Sequence, residues 1–253
     1  MNARGLSAII TIAKYFDEGE LLRIMNSTNG IITVFAGSAS RPFAQKMCDY
    51  LGVELGKSTT HIFSEGGIYV RADESIRNKD VYIVQSIGKD PNNAFTELIF
   101  WIDAFKRASA NSITAIIPYF GYAKADKKDE PRVSIRARVC ADCIEMCGAD
   151  RVVTMDLHAA QVQGFFSKPV DHLYASALLC EYARHLGIVN ENLVVVSPDA
   201  GSAKRARAYA NILGCNVAIG DKVRIGHDEN PNALEIIGDV KGKTCMVVDD
   251  FTI

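Results

Sequence analysis

Short apolar runs rich in Val and Ile alternate along this chain with stretches whose apolar positions recur every three or four residues. Runs of the first kind predict strands over residues 31–36, 81–85, 113–118, 151–155, 193–197, 216–219 and 244–248. Stretches of the second kind predict helices over 41–51, 92–110, 134–147, 175–186 and 202–213. Strand, helix, strand in repeated order implies βαβ units and a mostly parallel sheet. The runs 113–117 and 194–196 are apolar without a break, as strands covered on both faces are. Two shorter strands, 60–63 and 68–71, flank Ser64-Glu65-Gly66-Gly67 and read as a hairpin.

A boundary near 171–174 separates a full α/β series from a second one. The predicted organisation is an extension over 1–29, an N-terminal α/β domain over 30–172 and a C-terminal domain over 173–253. Within the extension, 17–25 reads as a short helix and 26–30 as a turn-rich connector. After the last predicted strand the chain stops at Asp249-Asp250-Phe251-Thr252-Ile253. A doubly wound domain would continue there with a loop and a covering helix, so the second domain reads as incomplete.

Composition narrows the function classes. The 28 basic and 30 acidic residues nearly cancel, leaving no electrostatic footprint for nucleic acid. No stretch reaches the roughly 18 apolar residues of a membrane span, so no membrane partner is expected. The apolar run 8–13 is brief and is soon followed by Lys14, Asp17 and Glu18, which is unlike a signal peptide. Seven scattered cysteines, an odd number, predict reduced thiols and a cytoplasmic protein. Cys140, Cys143 and Cys147 lie at i, i+3 and i+7 of the helix over 134–147 and read as an apolar face, with no partner pair at zinc-site spacing.

The candidate chemistry lies where strands end. The strand over 151–155 runs into Asp156-Leu157-His158, and in open α/β sheets ligands bind outside the carboxyl ends of the strands. A carboxylate and an imidazole two residues apart would leave a strand on one side, suited to a metal–nucleotide complex. Ser197-Pro198-Asp199-Ala200-Gly201-Ser202 follows another buried strand; Asp199 suits a metal or hydroxyl ligand, and Ser202 is a good helix N-cap. Asp249 and Asp250 end the last strand and suit ribose hydroxyls or a hydrated Mg2+. Lys222 and Arg224 flank Val223 just after a predicted strand, at the base of a loop over 225–232. Two cations there would neutralise charge on a transferring phosphoryl group. Lys124, Lys127, Lys128 and Arg132 suit polyphosphate, while Tyr119, Phe120 and Tyr122 suit either a base or the core.

These strings, in this order, resemble the ribose-phosphate diphosphokinases, or phosphoribosyl pyrophosphate synthetases. The match runs from about Val34 to Asp250 and includes 51–57, 80–86, 117–123, 126–129, the string Asp156 to Phe166, 197–205 and 238–243. The resemblance implies two phosphoribosyltransferase-like α/β domains assembled into homo-oligomers, dimer-based rings. It implies transfer of the β,γ-diphosphate of Mg-ATP to the 1-hydroxyl of ribose 5-phosphate, with AMP leaving and Mg2+ as cofactor. It places Phe63, Lys124 and His158 against ATP, with His158 and Asp199 at the metal. Asp249 and Asp250 would then hold ribose 5-phosphate, Lys222 and Arg224 would act in catalysis, and Arg77 would lie near a regulatory phosphate site. A phosphoribosyltransferase shares the paired carboxylates, but the Asp156-Leu157-His158 string and the first domain argue against it.

The departures cluster at the nucleotide. Glu65 stands where the family has Asn or Asp, and Gly67 where it has Glu. Lys124-Ala125 replaces Arg-Gln, and Ala160 a common Ser. Lysine is a point charge and does not reproduce a bidentate guanidinium. The family's Gly- and Thr-rich loop after the paired carboxylates lies past the end of this chain. The alternative expectation is therefore a non-catalytic regulatory paralogue, or a fragment, that forms a hetero-oligomer with a full-length active relative.

Overall fold

The computed structural model describes the backbone of residues 32–223 and 233–251, and the side chains of 32–220 and 235–251. The extension over 1–29, its helix over 17–25, the loop over 225–232 and Arg224 lie outside the described residues. The described chain divides into two compact units, one ending at Leu173 and the other beginning at Tyr174.

The first unit runs β1 (Thr33–Ala36), α1 (Arg41–Leu51), β2 (Ser58–Ile62), β3 (Ile68–Ala72), β4 (Asp80–Val84), α2 (Pro91–Arg107), β5 (Ser112–Ile117), α3 (Arg136–Cys147), β6 (Arg151–Met155), a 3-10 turn over Ala160–Phe165, and β7 (Val170–Leu173). Its main sheet has the order β1-β4-β5-β6-β7, with every neighbour pair parallel. β2 and β3 form a separate antiparallel hairpin.

Helix α2 shows why this unit coheres. Asp90 caps its start by accepting the Asn93 N–H, and Pro91 sits at the first position, where a missing N–H costs nothing. Ala94, Leu98, the adjacent pair Trp101 and Ile102, and Phe105 recur every three or four residues and are buried. Their face closes on Phe35 of β1, with Phe35 to Phe105 ring centroids 4.9 Å apart and Trp101 to Phe105 5.2 Å. Lys106 and Arg107 end the helix, where its dipole favours cations.

The same buried face carries Glu97, only 2% exposed. Its carboxylate accepts the Ser38 N–H at 2.9 Å, the Gln85 amide at 3.0 Å, the Thr60 hydroxyl at 3.3 Å and the Trp101 indole N–H at 3.3 Å. The Ser38 hydroxyl donates to it as well. One side chain thus ties the loop after β1, strand β2 and the segment after β4 to α2. Gly37 makes this possible, because a Cβ there would lie 2.3 Å from the Gln85 side-chain oxygen.

The second unit runs α4 (Ser176–His185), β8 (Leu193–Ser197), α5 (Ala203–Leu213), β9 (Asn216–Val223), β10 (Ala233–Ile237) and β11 (Thr244–Val247). Its sheet has the order β10-β9-β8-β11. β8 lies parallel to both β9 and β11, while β9 and β10 pair antiparallel. Cys180, Leu193, Val195, Ala206, Tyr209 and Ala210 form its core.

Several expectations change. β9 continues through Val223, so Lys222 lies within a strand, opposite Leu234 of β10, and not after one. β10 was not expected as a strand. β7 stands where the pattern suggested only a boundary. Phe120 is a core residue, set edge-on to Phe166 at 6.2 Å, which decides for packing over base contact. All seven cysteines are free thiols. Cys140 is buried in α3, Cys147 packs against the core, and Cys143 is half-buried between them. No helix of the described residues is long and apolar enough to cross a membrane.

Two predictions follow from this packing. Replacing Glu97 with Leu leaves donors buried without an acceptor, at about 1–3 kcal/mol each. E97L should therefore lower the urea midpoint of the first unit, read by the fluorescence of Trp101, the chain's single tryptophan. An unchanged midpoint would show that these contacts contribute nothing. For the thiols, burial pushes Cys48 up to about 11 and Cys140 up to about 12. The reactive species is the thiolate. Iodoacetamide at pH 8 should therefore alkylate exposed Cys245 long before either of them, as peptide mass mapping will show.

Candidate functional site

The first site element is the turn after β6. The strand ends at Met155, and Asp156 turns out of it with φ 43°, in the left-handed region. For a residue with a side chain this costs on the order of 1–3 kcal/mol and persists only where neighbours enforce it. The neighbours are visible. The Asp156 N–H donates to the Leu173 carbonyl at 3.0 Å, and the Leu157 N–H donates to His172 Nε2 at 2.9 Å. Leu157 itself is buried, while His158 is exposed at the edge. The strand alternation expected to aim Asp156 and His158 together does not operate here, since regular β geometry stops one residue earlier. The turn sets their directions instead.

The second element joins two strand ends. β8 and β11 are parallel neighbours with Val196 opposite Val247, so the segments after them lie side by side. Ser197 donates its hydroxyl to the Asp199 carbonyl at 2.7 Å. Asp199 Oδ1 accepts the Ser202 N–H at 3.0 Å. The Ser202 hydroxyl then donates to Asp249 Oδ1 at 3.0 Å, and the same oxygen accepts the Asp250 N–H at 2.9 Å. Arg205 Nη1 lies 3.8 Å from Asp250 Oδ1, with both side chains largely buried. Three of the expected site residues, Asp199, Asp249 and Asp250, are therefore one hydrogen-bonded group. Ser202 occupies the N-cap position of α5, but its hydroxyl makes no capping bond and donates to Asp249 instead, while its backbone N–H donates to Asp199, so the residue links two acids. That link was missed because an N-cap serine satisfies the local pattern by itself. Arg205 was in the motif, but nothing in its spacing pointed to Asp250.

The remaining candidates stand on separate elements. Phe63 closes the β2–β3 hairpin, donating its N–H to the Gly67 carbonyl at 2.9 Å. Its ring is exposed, between His61 at 4.9 Å and Tyr69 at 6.3 Å. A Cβ at Gly67 would lie 3.2 Å from Oε1 of the exposed Glu65, so the two departures are neighbours in space. Lys124 is exposed in the loop after β5. The next residue, Ala125, is buried, and its carbonyl accepts the Ala137 N–H of α3 at 3.2 Å. Arg77 is exposed between β3 and β4.

Among the described residues, no group of three or more His, Cys, Asp or Glu is gathered as a metal cage. Magnesium does not need one, since it retains waters and binds through one or two carboxylates plus substrate phosphate oxygens. The oxygen donors of Asp199 and Asp249 are of that kind, whereas imidazole suits softer metals.

Comparison with known proteins agrees with the fold. Residues 32–148 match the N-terminal domain of ribose phosphate pyrophosphokinase, and 175–252 match a phosphoribosyl transferase domain. The ribose-phosphate pyrophosphokinase of Deinococcus radiodurans is 48% identical over 227 residues, covering 89% of this chain and 70% of its own. That of Porphyromonas gingivalis is also 48% identical, covering 90% of this chain and 71% of its own. A chloroplastic ribose-phosphate pyrophosphokinase 2 of Arabidopsis thaliana is 44% identical, with 95% of this chain covering 60% of that protein. In solved structures, phosphoribosylpyrophosphate synthetase from Mycobacterium smegmatis superimposes with TM-score 0.79 at 41% identity, over 86% of this chain and 70% of that one. With two α/β units whose sheets are mostly parallel, as expected, and relatives this similar, the chain belongs to the ribose-phosphate pyrophosphokinase family.

Proposed function

We propose that this protein transfers diphosphate from Mg-ATP to the 1-hydroxyl of ribose 5-phosphate, giving phosphoribosyl diphosphate and AMP. The observation that carries the reading is the bonded group Asp199–Ser202–Asp249–Asp250 at the ends of β8 and β11. It offers two kinds of oxygen chemistry within one network: a carboxylate for a hydrated divalent cation, and paired carboxylates for vicinal hydroxyls.

In this reading Asp249 and Asp250 hold the ribose hydroxyls of ribose 5-phosphate. Arg205 keeps Asp250 from turning away, and Ser202 orients Asp249. Asp199 is given to Mg2+, which when bound neutralises polyphosphate charge. His158 is assigned to the phosphates of ATP. Phe63 packs on adenine, and Lys124 meets the nucleotide as a point charge. The 1-hydroxyl oxygen bonds to the β-phosphorus, its proton passes to solvent, and the bond from the β-phosphorus to the bridging oxygen breaks, so that AMP leaves with that oxygen. Lys222 and Arg224 stabilise the charge on the moving diphosphate. Chemistry of this type asks the protein for position and charge more than for covalent help. We place the protein in the cytoplasm, in keeping with its seven free thiols, and assign it a homo-oligomeric state.

Incubating the purified chain with Mg-ATP and ribose 5-phosphate should give AMP and phosphoribosyl diphosphate in equal amounts. Removing Mg2+ with EDTA should stop both. Lys222→Ala should lower turnover by about 10²–10³-fold, the loss seen when one charge-stabilising donor is removed, with the thermal midpoint unmoved. No product alone, but product gained on mixing with a full-length relative, would favour the regulatory reading and overturn this one.

A further inference from the structure

His172 belongs to none of the motifs above, yet it lies directly behind one of them. We propose that it is a positioning residue: by accepting the Leu157 N–H it holds the left-handed turn at Asp156, and so fixes where Asp156 and His158 present their side chains. The consequence for nucleotide binding rests on the functional reading above; the pin itself does not.

The argument starts from register. β6 and β7 are parallel, with Thr154 opposite His172 and Met155 opposite Leu173, so the two strands end together. The Asp156 N–H still reaches the Leu173 carbonyl. The next amide, Leu157, points to a side chain instead, the imidazole of His172, at 2.9 Å. Residue 157 is thereby held twice, by its buried side chain and by its amide. A turn fixed on both sides of Asp156 is what keeps a non-glycine residue at φ 43°.

The ring's orientation is also determined. An N–H directed at Nε2 requires a lone pair there, which puts the ring proton on Nδ1. Gln163 Nε2 lies 3.3 Å from Nδ1 while donating to the Ala160 carbonyl at 2.9 Å. Two N–H groups do not bond, so Gln163 flanks the imidazole and does not compete for Nε2. The histidine therefore offers the turn one acceptor, from a half-buried ring on a strand that is hydrogen-bonded along its length to β6.

The test uses the full chain and two variants, His172→Leu, which removes the acceptor, and His172→Gln, which keeps one at similar reach. Three quantities are read: hydrogen exchange at the Leu157 amide, exchange at β4 and β5 amides, and Mg-ATP affinity by calorimetry. In H172L, Leu157 should exchange faster and Mg-ATP should bind more weakly, each by about tenfold, the worth of one net hydrogen bond. β4 and β5 should stay protected. H172Q should restore both quantities to within about threefold of wild type. Unchanged Leu157 exchange in H172L overturns the pin. Weakening equal in H172L and H172Q overturns the acceptor role, as does full Mg-ATP affinity in an H172L protein whose Leu157 amide has lost protection. A wild-type chain that binds no Mg-ATP overturns the functional reading instead, and the pin is then decided by Leu157 exchange alone.

Discussion

Parallel strand pairing is the constraint on which most of this molecule depends. Where neighbouring strands run the same way, their carboxyl ends finish on one edge, and the loops that leave them are brought together whatever their separation in sequence. Residues 199 and 249 are far apart along the chain, yet Ser202 bridges them because β8 and β11 are adjacent and in register at Val196 and Val247. The same rule places Leu157 beside His172 at the shared end of β6 and β7. Hydrogen bonds between these loops then convert proximity into fixed geometry.

The two edges use different means. After β6 the backbone itself is held in an unfavourable conformation, and its amides are occupied by β7. After β8 and β11 side chains do the joining, with a serine between two acids and an arginine behind the second. Away from both edges, Glu97 plays a comparable role inside the first unit, where one buried carboxylate holds three segments to α2. Polar groups buried in this way are costly unless fully partnered, and once partnered they specify one arrangement.

Much of the architecture was legible in the sequence, for a physical reason. β6, β8 and α1 have the bounds their patterns suggest, because strands flanked by neighbours on both sides carry a compact Val-rich run and a helix followed by Gly52 has a defined stop. What escaped had weaker grounds for recognition. β7 is four residues with Asp171 and His172 at its centre, and it is specified by its neighbour more than by its own composition. β10 pairs antiparallel with β9 and leaves Ile236 and Ile237 exposed, so its apolar residues do not announce a buried strand. The identities of Asp156, His158, Asp199, Asp249 and Asp250 were readable as motifs. The positive φ at Asp156, the Ser202 bridge and the acceptor on His172 were not, since each depends on a partner that only the folded sheet supplies.

The central claim is that polyphosphate, metal and sugar are held by the loops at these carboxyl edges. The most direct measurement is a crystal structure of the chain with Mg2+, a non-hydrolysable ATP analogue and ribose 5-phosphate. The account predicts the triphosphate against the Asp156–His158 turn, the metal on Asp199, and the ribose hydroxyls of the sugar phosphate on Asp249 and Asp250. Ligands seated elsewhere, with those side chains left in solvent, would contradict it.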